Sequence, residues 1–304
     1  MGLELPDFYT VLATKRFLSM VRNFGKDFSF ENVLENLRES LSKLEGIGIK
    51  VHERSRYKRI VSEFERALVA KSGRARPEDL DWNLLAEGLC DARELRVILA
   101  SKHVLGQCWL ELQQIIKGTD YPWKDLDTGP RDLQFQLFTT AVIAHSGFEV
   151  SLKEPDVVFV YKDHEYSVAA KRVKSLKNLE KRVREAKNQI IGSNHYGFVA
   201  LGLSQIARQN TGALLVEKPD VLWEAGEKIT NGLIQNELKA VLKKTQHPAV
   251  IGCLVSIMIP SFIANSFSIG FTSNFRSIYF APLGHACFDT CEEICKQIHD
   301  PENI

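Results

Sequence analysis

The spacing of apolar positions divides the chain into two unlike halves. From residue 1 to about residue 118 every pattern is helical. Phe8, Leu12, Phe17 and Met20 begin an amphipathic stretch. Ser29 then precedes Phe30, and Val33, Leu34, Leu37, Leu41 and Leu44 recur at three- and four-residue intervals until Gly46-Ile47-Gly48 stops the run. Residues 56–70 repeat the pattern through Ile60, Phe64, Ala67 and Leu68. A loop at residues 72–77 leads into a long helical stretch over 79–117, with a break expected near Ser101. Four or five helices without a strand signal predict a bundle-like N-terminal module.

The period changes beyond the turn-rich segments at 117–122 and 127–130. Residues 131–145 read as a helix ended by Ser146-Gly147. Short strands are expected at 148–152, 156–161 and 166–173, the last two joined by a turn over 162–165. A helix over 177–191 follows, then a buried-type strand at 197–203, a mostly helical stretch at 218–245 and a second buried-type strand at 250–259. One or two strands over 267–280 and a helix over 289–298 close the chain. The order predicts an α/β protein: a helical domain over 1–120, then a mixed sheet flanked by helices over 121–304. Trp123, between the turn segments, is expected to pack the two modules together.

Composition narrows the picture. The 304 residues are 44% hydrophobic and carry a formal net charge of +1, so a core can form but bulk charge points to no partner. No apolar run reaches the roughly 18 residues of a membrane span. The longest, residues 249–263, contains Pro260 and follows Pro248. The first residues make a poor signal peptide, and a cytosolic protein is expected. Six cysteines include no CxxC pair, so free thiols are expected. Cys287, Cys291 and Cys295 fall four apart, which suits packing on one helix face better than a metal site. There is no GxxxxGK[ST], GxGxxG or HExxH, and Gly202-Leu203-Ser204-Gln205-Ile206 lacks the second glycine of a nucleophile elbow. His145, His195 and His285 are scattered.

One constellation carries chemistry. Glu154-Pro155-Asp156 opens a strand, a hairpin follows, and Ala169-Ala170-Lys171 ends the next strand. In this the chain resembles the PD-(D/E)xK nuclease superfamily, whose fold is restriction-endonuclease-like. The resemblance covers about half the chain and implies that Asp156 and Lys171 meet on one sheet face, because residues two apart on a strand point the same way. It further implies a hard divalent cation, Mg²⁺ or Mn²⁺, on Asp156 and Glu154, and a lysine that helps activate water against a phosphodiester. Gln189, on the following helix, resembles a glutamine that many relatives place there.

This sequence departs from the pattern at two places. Ala169 stands where the resemblance calls for an acid. Three readings stay open: a natural non-catalytic relative, an introduced inactivating change, or a carboxylate that has migrated to Glu154, Glu180 or Glu185. The preceding helix, where relatives often carry glutamate, offers Gln134 and Gln136 instead.

Charge adds a local footprint. From Lys171 to Ile190 there are eight basic residues and two acidic ones. Leu176, Leu179, Val183, Ala186 and Ile190 form the apolar stripe of that helix. Arg172, Lys174, Lys177, Lys181 and Arg184 are the candidates for a phosphate backbone. The expectation is a metal-dependent nuclease acting on DNA ahead of RNA, with Gln136 and Gln189 accessory. The alternative is a non-catalytic nucleic-acid or protein binding module on a degenerate nuclease fold. The N-terminal helices are the candidate surface for a homodimer or a protein partner.

Overall fold

The computed structural model describes residues 29–211, 213–279 and 285–298. The stretch expected around Phe8, Leu12, Phe17 and Met20 lies outside the described residues.

Side-chain caps start the N-terminal helices. Ser29 Oγ accepts from Asn32 N at α1 (Phe30–Gly46), and Ser55 Oγ accepts from Lys58 N at α2 (Arg56–Lys71). Asp81 caps α3 (Trp82–Ala100), and Ser101 caps α4 (Lys102–Gln107). The expected break near Ser101 is therefore a change of helix, completed by α5 (Trp109–Ile115). Gly48 takes φ 84° just past α1, where only a residue without a Cβ is at ease. The stripe Val33, Leu34, Leu37, Leu41 and Leu44 is buried throughout.

Helix α6 (Gly129–His145) leads into β1 (Glu149–Ser151), β2 (Val157–Tyr161) and β3 (His164–Arg172). Then come α7 (Leu176–Gly192), β4 (Tyr196–Gly202), α8 (Ser204–Thr211), β5 (Leu214–Val216) and α9 (Pro219–Leu233). A π-helical turn runs into α10 (Lys239–Lys244), followed by β6 (Val250–Ile263), β7 (Ser268–Tyr279) and α11 (Phe288–Gln297). The strands form one seven-stranded mixed sheet in the order β1-β2-β3-β4-β6-β5, with β7 also pairing β6. Strand β6 organises its far half. One edge pairs β4 up to Ser256 and β5 from Ser261, while β7 runs antiparallel along the other edge. Pro260 falls in the interval with a strand on only one side, where a residue without an N–H is tolerated. Strand β6 is also where the longest apolar run goes, and among the described residues no helix is long and apolar enough to cross a membrane.

Two apolar layers cover the sheet. One joins α1–α6 and α11 to Phe159, Val168, Ala170 and Leu254. The other packs α7, α8 and α10 on Ala169, Val199 and Val255. The helical segment and the sheet thus share a continuous core running from Phe30 to Ile298. Helix α6, buried on several sides, forms its axis, and for that reason its sequence shows little amphipathic contrast. Trp123 does not pack the two segments together as expected. It is 61% exposed and stacks on Tyr121. The junction is made instead by α3 against α6. Cys287, Cys291 and Cys295 are buried free thiols in the shared core, and Cys291 Sγ donates to Ile251 O. Leu176, expected in the α7 stripe, is exposed at the first turn.

Candidate functional site at the carboxyl end of β3

The β2–β3 hairpin is tighter than its sequence suggests. Tyr161 pairs with His164, so the turn holds only Lys162 and Asp163, not the four residues 162–165. Both take positive φ, 49° and 62°, the left-handed pair that matches strand twist in a two-residue hairpin. Val157 pairs with Val168, and the same register carried one residue further sets Asp156 opposite Ala169. Strand alternation then puts Asp156, Ala169 and Lys171 on one face.

The geometry at Asp156 follows. Its Oδ2 accepts from Ala170 N at 2.7 Å and from Lys171 Nζ at 2.9 Å. The two side chains are only 16% and 15% exposed. Burial pushes the Asp156 carboxyl above the ordinary aspartate value, against the opposing pull of Lys171 and Ala170 N, and nearby Glu154 adds to the rise. Glu154 itself is exposed, at the turn before β2.

The two expected glutamines grip this segment from opposite helices. Gln136 Nε2 on α6 donates to Asp156 O at 3.0 Å, and Gln189 Nε2 on α7 donates to Pro155 O at 3.3 Å. Both therefore position the backbone that carries Asp156. Gln134 turns away from the site. Its Oε1 accepts from Arg56 and Tyr57, and its Nε2 donates to Asp91 and Glu94.

A cavity of about 300 Å³ opens here, beyond the carboxyl end of β3. Parallel strands of α/β sheets commonly leave a ligand crevice at that end. Asp156, Lys171 and Arg172 line it from the hairpin, Asp132 and Gln136 from α6, and Arg182 from α7. Two of these were not singled out from the sequence. Asp132 lies four residues before Gln136, one helical turn away on the same face, and that spacing was the available signal. Its Oδ2 accepts from Thr128 Oγ1 at 2.7 Å. Arg182 borders the buried stripe at Val183, and its Nη1 donates to Glu185 Oε2 at 2.9 Å on the same helix.

The other basic candidates are placed differently. Arg172 reaches the cavity, and burial holds its guanidinium below the usual arginine value, with Glu94 pulling the other way. Lys174 is half-buried and Lys177 exposed. Lys181 is 74% exposed, 3.9 Å from Glu185, while Arg184 bonds Glu180. These last two form surface pairs with the helix's own acids. Glu180 and Glu185, considered as homes for a migrated carboxylate, are accordingly taken up by α7 and α10 cations, with Lys244 also on Glu180.

Ala169 is fully buried in the apolar layer with Val183 and Ala186 of α7. Among the described residues no group of three or more His, Cys, Asp or Glu side chains gathers as a ready-made metal site. The side-chain oxygen donors along the cavity include the carboxylates of Asp132 and Asp156 and the amide oxygens of Gln114 and Gln136. Oxygen donors of this kind are the ligand type that hard divalent cations take.

The chain matches no protein-family model, no curated protein and no solved structure. The fold and the cavity define an α/β protein whose polar site, at a sheet end, carries two carboxylates facing a lysine and two arginines.

Proposed function

We propose that this protein is a metal-dependent nuclease of the PD-(D/E)xK type, acting on DNA ahead of RNA in the cytosol. The observation that carries the reading is the meeting of Asp156 and Lys171, 2.9 Å apart, in a cavity to which α6 contributes a second carboxylate, Asp132. Asp132 then does what Ala169 cannot. Asp156, Asp132 and the Gln136 oxygen would hold Mg²⁺ or Mn²⁺, which supplies Lewis-acid polarisation and a more acidic bound water. Lys171 donates to Asp156 and would orient a water against phosphorus. Arg172 and Arg182 balance phosphate charge within a poorly solvated cavity, where such contacts are strongest. Gln136 and Gln189 fix the Pro155-Asp156 backbone so that the carboxylate cannot drift.

A second reading is favoured by one observation, the closed apolar surroundings of Ala169: a fold that keeps nucleic-acid binding without cleavage. Supercoiled plasmid and labelled single strands, incubated with the protein and Mg²⁺ or Mn²⁺, separate the two. Cleavage lost in Asp156→Asn, Lys171→Ala and Asp132→Asn supports the nuclease. Absence of cleavage, with salt-dependent binding that Arg182→Ala weakens, replaces it with the binding module.

A further inference from the structure

The chain between α5 and α6 borders the cavity at both ends, since Gln114 and Gly129 line it. This connection is not slack. Arg131 Nη2 donates to Thr119 O at 2.8 Å and to Asp120 O at 3.2 Å, and its Nε lies 2.8 Å from Asp125 Oδ2. Asp125 Oδ1 accepts from Thr119 N and Oγ1, and Tyr121 OH donates to Asp81. So anchored, the loop packs Tyr121 against the core and leaves Trp123 outward. The Tyr121 and Trp123 rings stack at 5.0 Å with 24° between their planes, and Lys124 Nζ sits 4.4 Å from the Tyr121 centroid. Trp123 is 61% exposed and Leu126 fully so.

A large ring held in water by a braced loop forgoes the burial that a core position would give it, so its exposure calls for an occupant. Charge and position select one. Two loop acids are ion-paired, Asp125 with Arg131 and Asp120 with Arg59, while the exposed Asp127 accepts from Gly129 N. What remains toward solvent is an aromatic face with a lysine, beside a cavity whose lining carries three cations, Lys171, Arg172 and Arg182, against two carboxylates, Asp132 and Asp156. Trp123 is two residues from the anchored Asp125, at most about 7 Å of chain. Asp125 is held by Arg131, whose neighbour Asp132 lines the cavity.

We infer that Trp123, backed by Tyr121, forms a stacking platform for one unpaired base of a single strand whose phosphate enters the cavity. The inference rests on phosphate binding in that cavity, as proposed above, and not on cleavage. It makes single-stranded or locally opened nucleic acid the preferred substrate, because a paired base has no free face for the platform.

Fluorescence anisotropy of a labelled twelve-nucleotide single strand and of the matching duplex, with the full chain in EDTA, tests it. Trp123→Ala is expected to weaken single-strand binding about 5- to 160-fold, the range that one stacked base supplies, while Trp123→Phe keeps most of it. Duplex binding should change less than about twofold. Abasic substitution at the stacked nucleotide should make the strand insensitive to Trp123→Ala. Equal loss on strand and duplex, or no loss on either, overturns the platform. If Arg182→Ala weakens binding while Trp123→Ala does not, only the platform falls and the phosphate site stands. If the unaltered protein binds neither oligonucleotide, both fall together. A Trp123→Ala loss that abasic strands also show would instead mark the loop as a protein-contact or scaffolding element, and overturns base stacking.

Discussion

Arg131 on α6 donates through Nη1 to both carboxylate oxygens of Asp91 on α3, at 3.0 and 3.1 Å, with both side chains sealed from water. Asp91 also accepts from Gln134, and Arg56 lies 3.6 Å away. This buried group locks the helical segment to the helix that covers the sheet. Such a pair adds little over an apolar substitute, but removing one partner leaves a charge stranded. Arg131→Met takes the cation from Asp125 and the nearer of two cations from Asp91, which keeps Arg56 and Gln134, and should lower unfolding free energy by about 3 kcal/mol. Urea denaturation followed by far-UV circular dichroism measures this, and a loss under about 1 kcal/mol would show the pair to be dispensable.

The same aspartate sets an acid limb of stability. Burial alone would raise its pKa, but Arg131 and Arg56 outweigh burial and hold it at about 2. An unfolded aspartate titrates near 3.9, so the folded state keeps Asp91 charged where the unfolded state takes up a proton. Its contribution is therefore complete above about pH 4 and disappears as pH falls toward 2. Glu94 and Asp156, both raised by burial, act with the opposite sign: folding favours their protonated forms, and they cost stability as pH rises through their windows. The difference in unfolding free energy between the unaltered protein and Asp91→Asn isolates the first effect. It should shrink by about 2 kcal/mol between pH 5 and pH 2.5. A difference that stays flat over that span contradicts the charged, paired state of Asp91.

Lys162 and Asp163 bear the conformational strain of the hairpin that aligns Asp156 with Lys171. Neither is the glycine or asparagine that such a turn prefers. Asp163→Gly removes a left-handed Cβ contact and should stabilise the protein by about 0.5–1 kcal/mol, despite the added freedom of the unfolded chain. The melting temperature should rise by roughly 1–3 °C, measured by scanning calorimetry. Asp163→Val should lower it, because a β-branched residue cannot take that φ without strain.

Much of this architecture could be read from local signals. Ser29 announces a helix start, Gly48 announces a stop, and the unbroken apolar run of β6 announces a strand covered on both faces. What escaped was short or depended on distant contacts. Helix α8 and the three-residue β5 are too brief for periodicity to register, and β5 exists only because the far end of β6 offers it an edge. Trp123, placed between the two turn segments, reads as a packing residue, yet it is exposed on a loop that Arg131 and Asp125 anchor. Asp156 and Lys171 were legible because strand alternation and a hairpin fix their faces. Asp132 and Arg182 were not, because which side of a helix faces a cavity depends on how that helix rolls against its neighbours.

Position 169 offers the sharpest contrast between local pattern and packing. Register and alternation put its Cβ on the face of Asp156 and Lys171, yet the space around it is apolar and closed by Val183 and Ala186. Ala169→Glu therefore brings a carboxyl into a core that cannot solvate it, beside the charge of Asp156. In metal-free buffer it should lower unfolding free energy by about 2–5 kcal/mol. If the new carboxyl reaches past α7 to Asp156, a divalent cation relieves the repulsion, since binding only the folded state adds stability by mass action. Millimolar Mn²⁺ should then raise the melting temperature of Ala169→Glu while leaving Ala169→Gln unmoved, because the amide matches the acid in size but brings no charge. Equal responses of the two variants to Mn²⁺ would mean that position 169 opens only onto the α7 core, and that any metal ligand of this site comes from Asp156 and α6 alone.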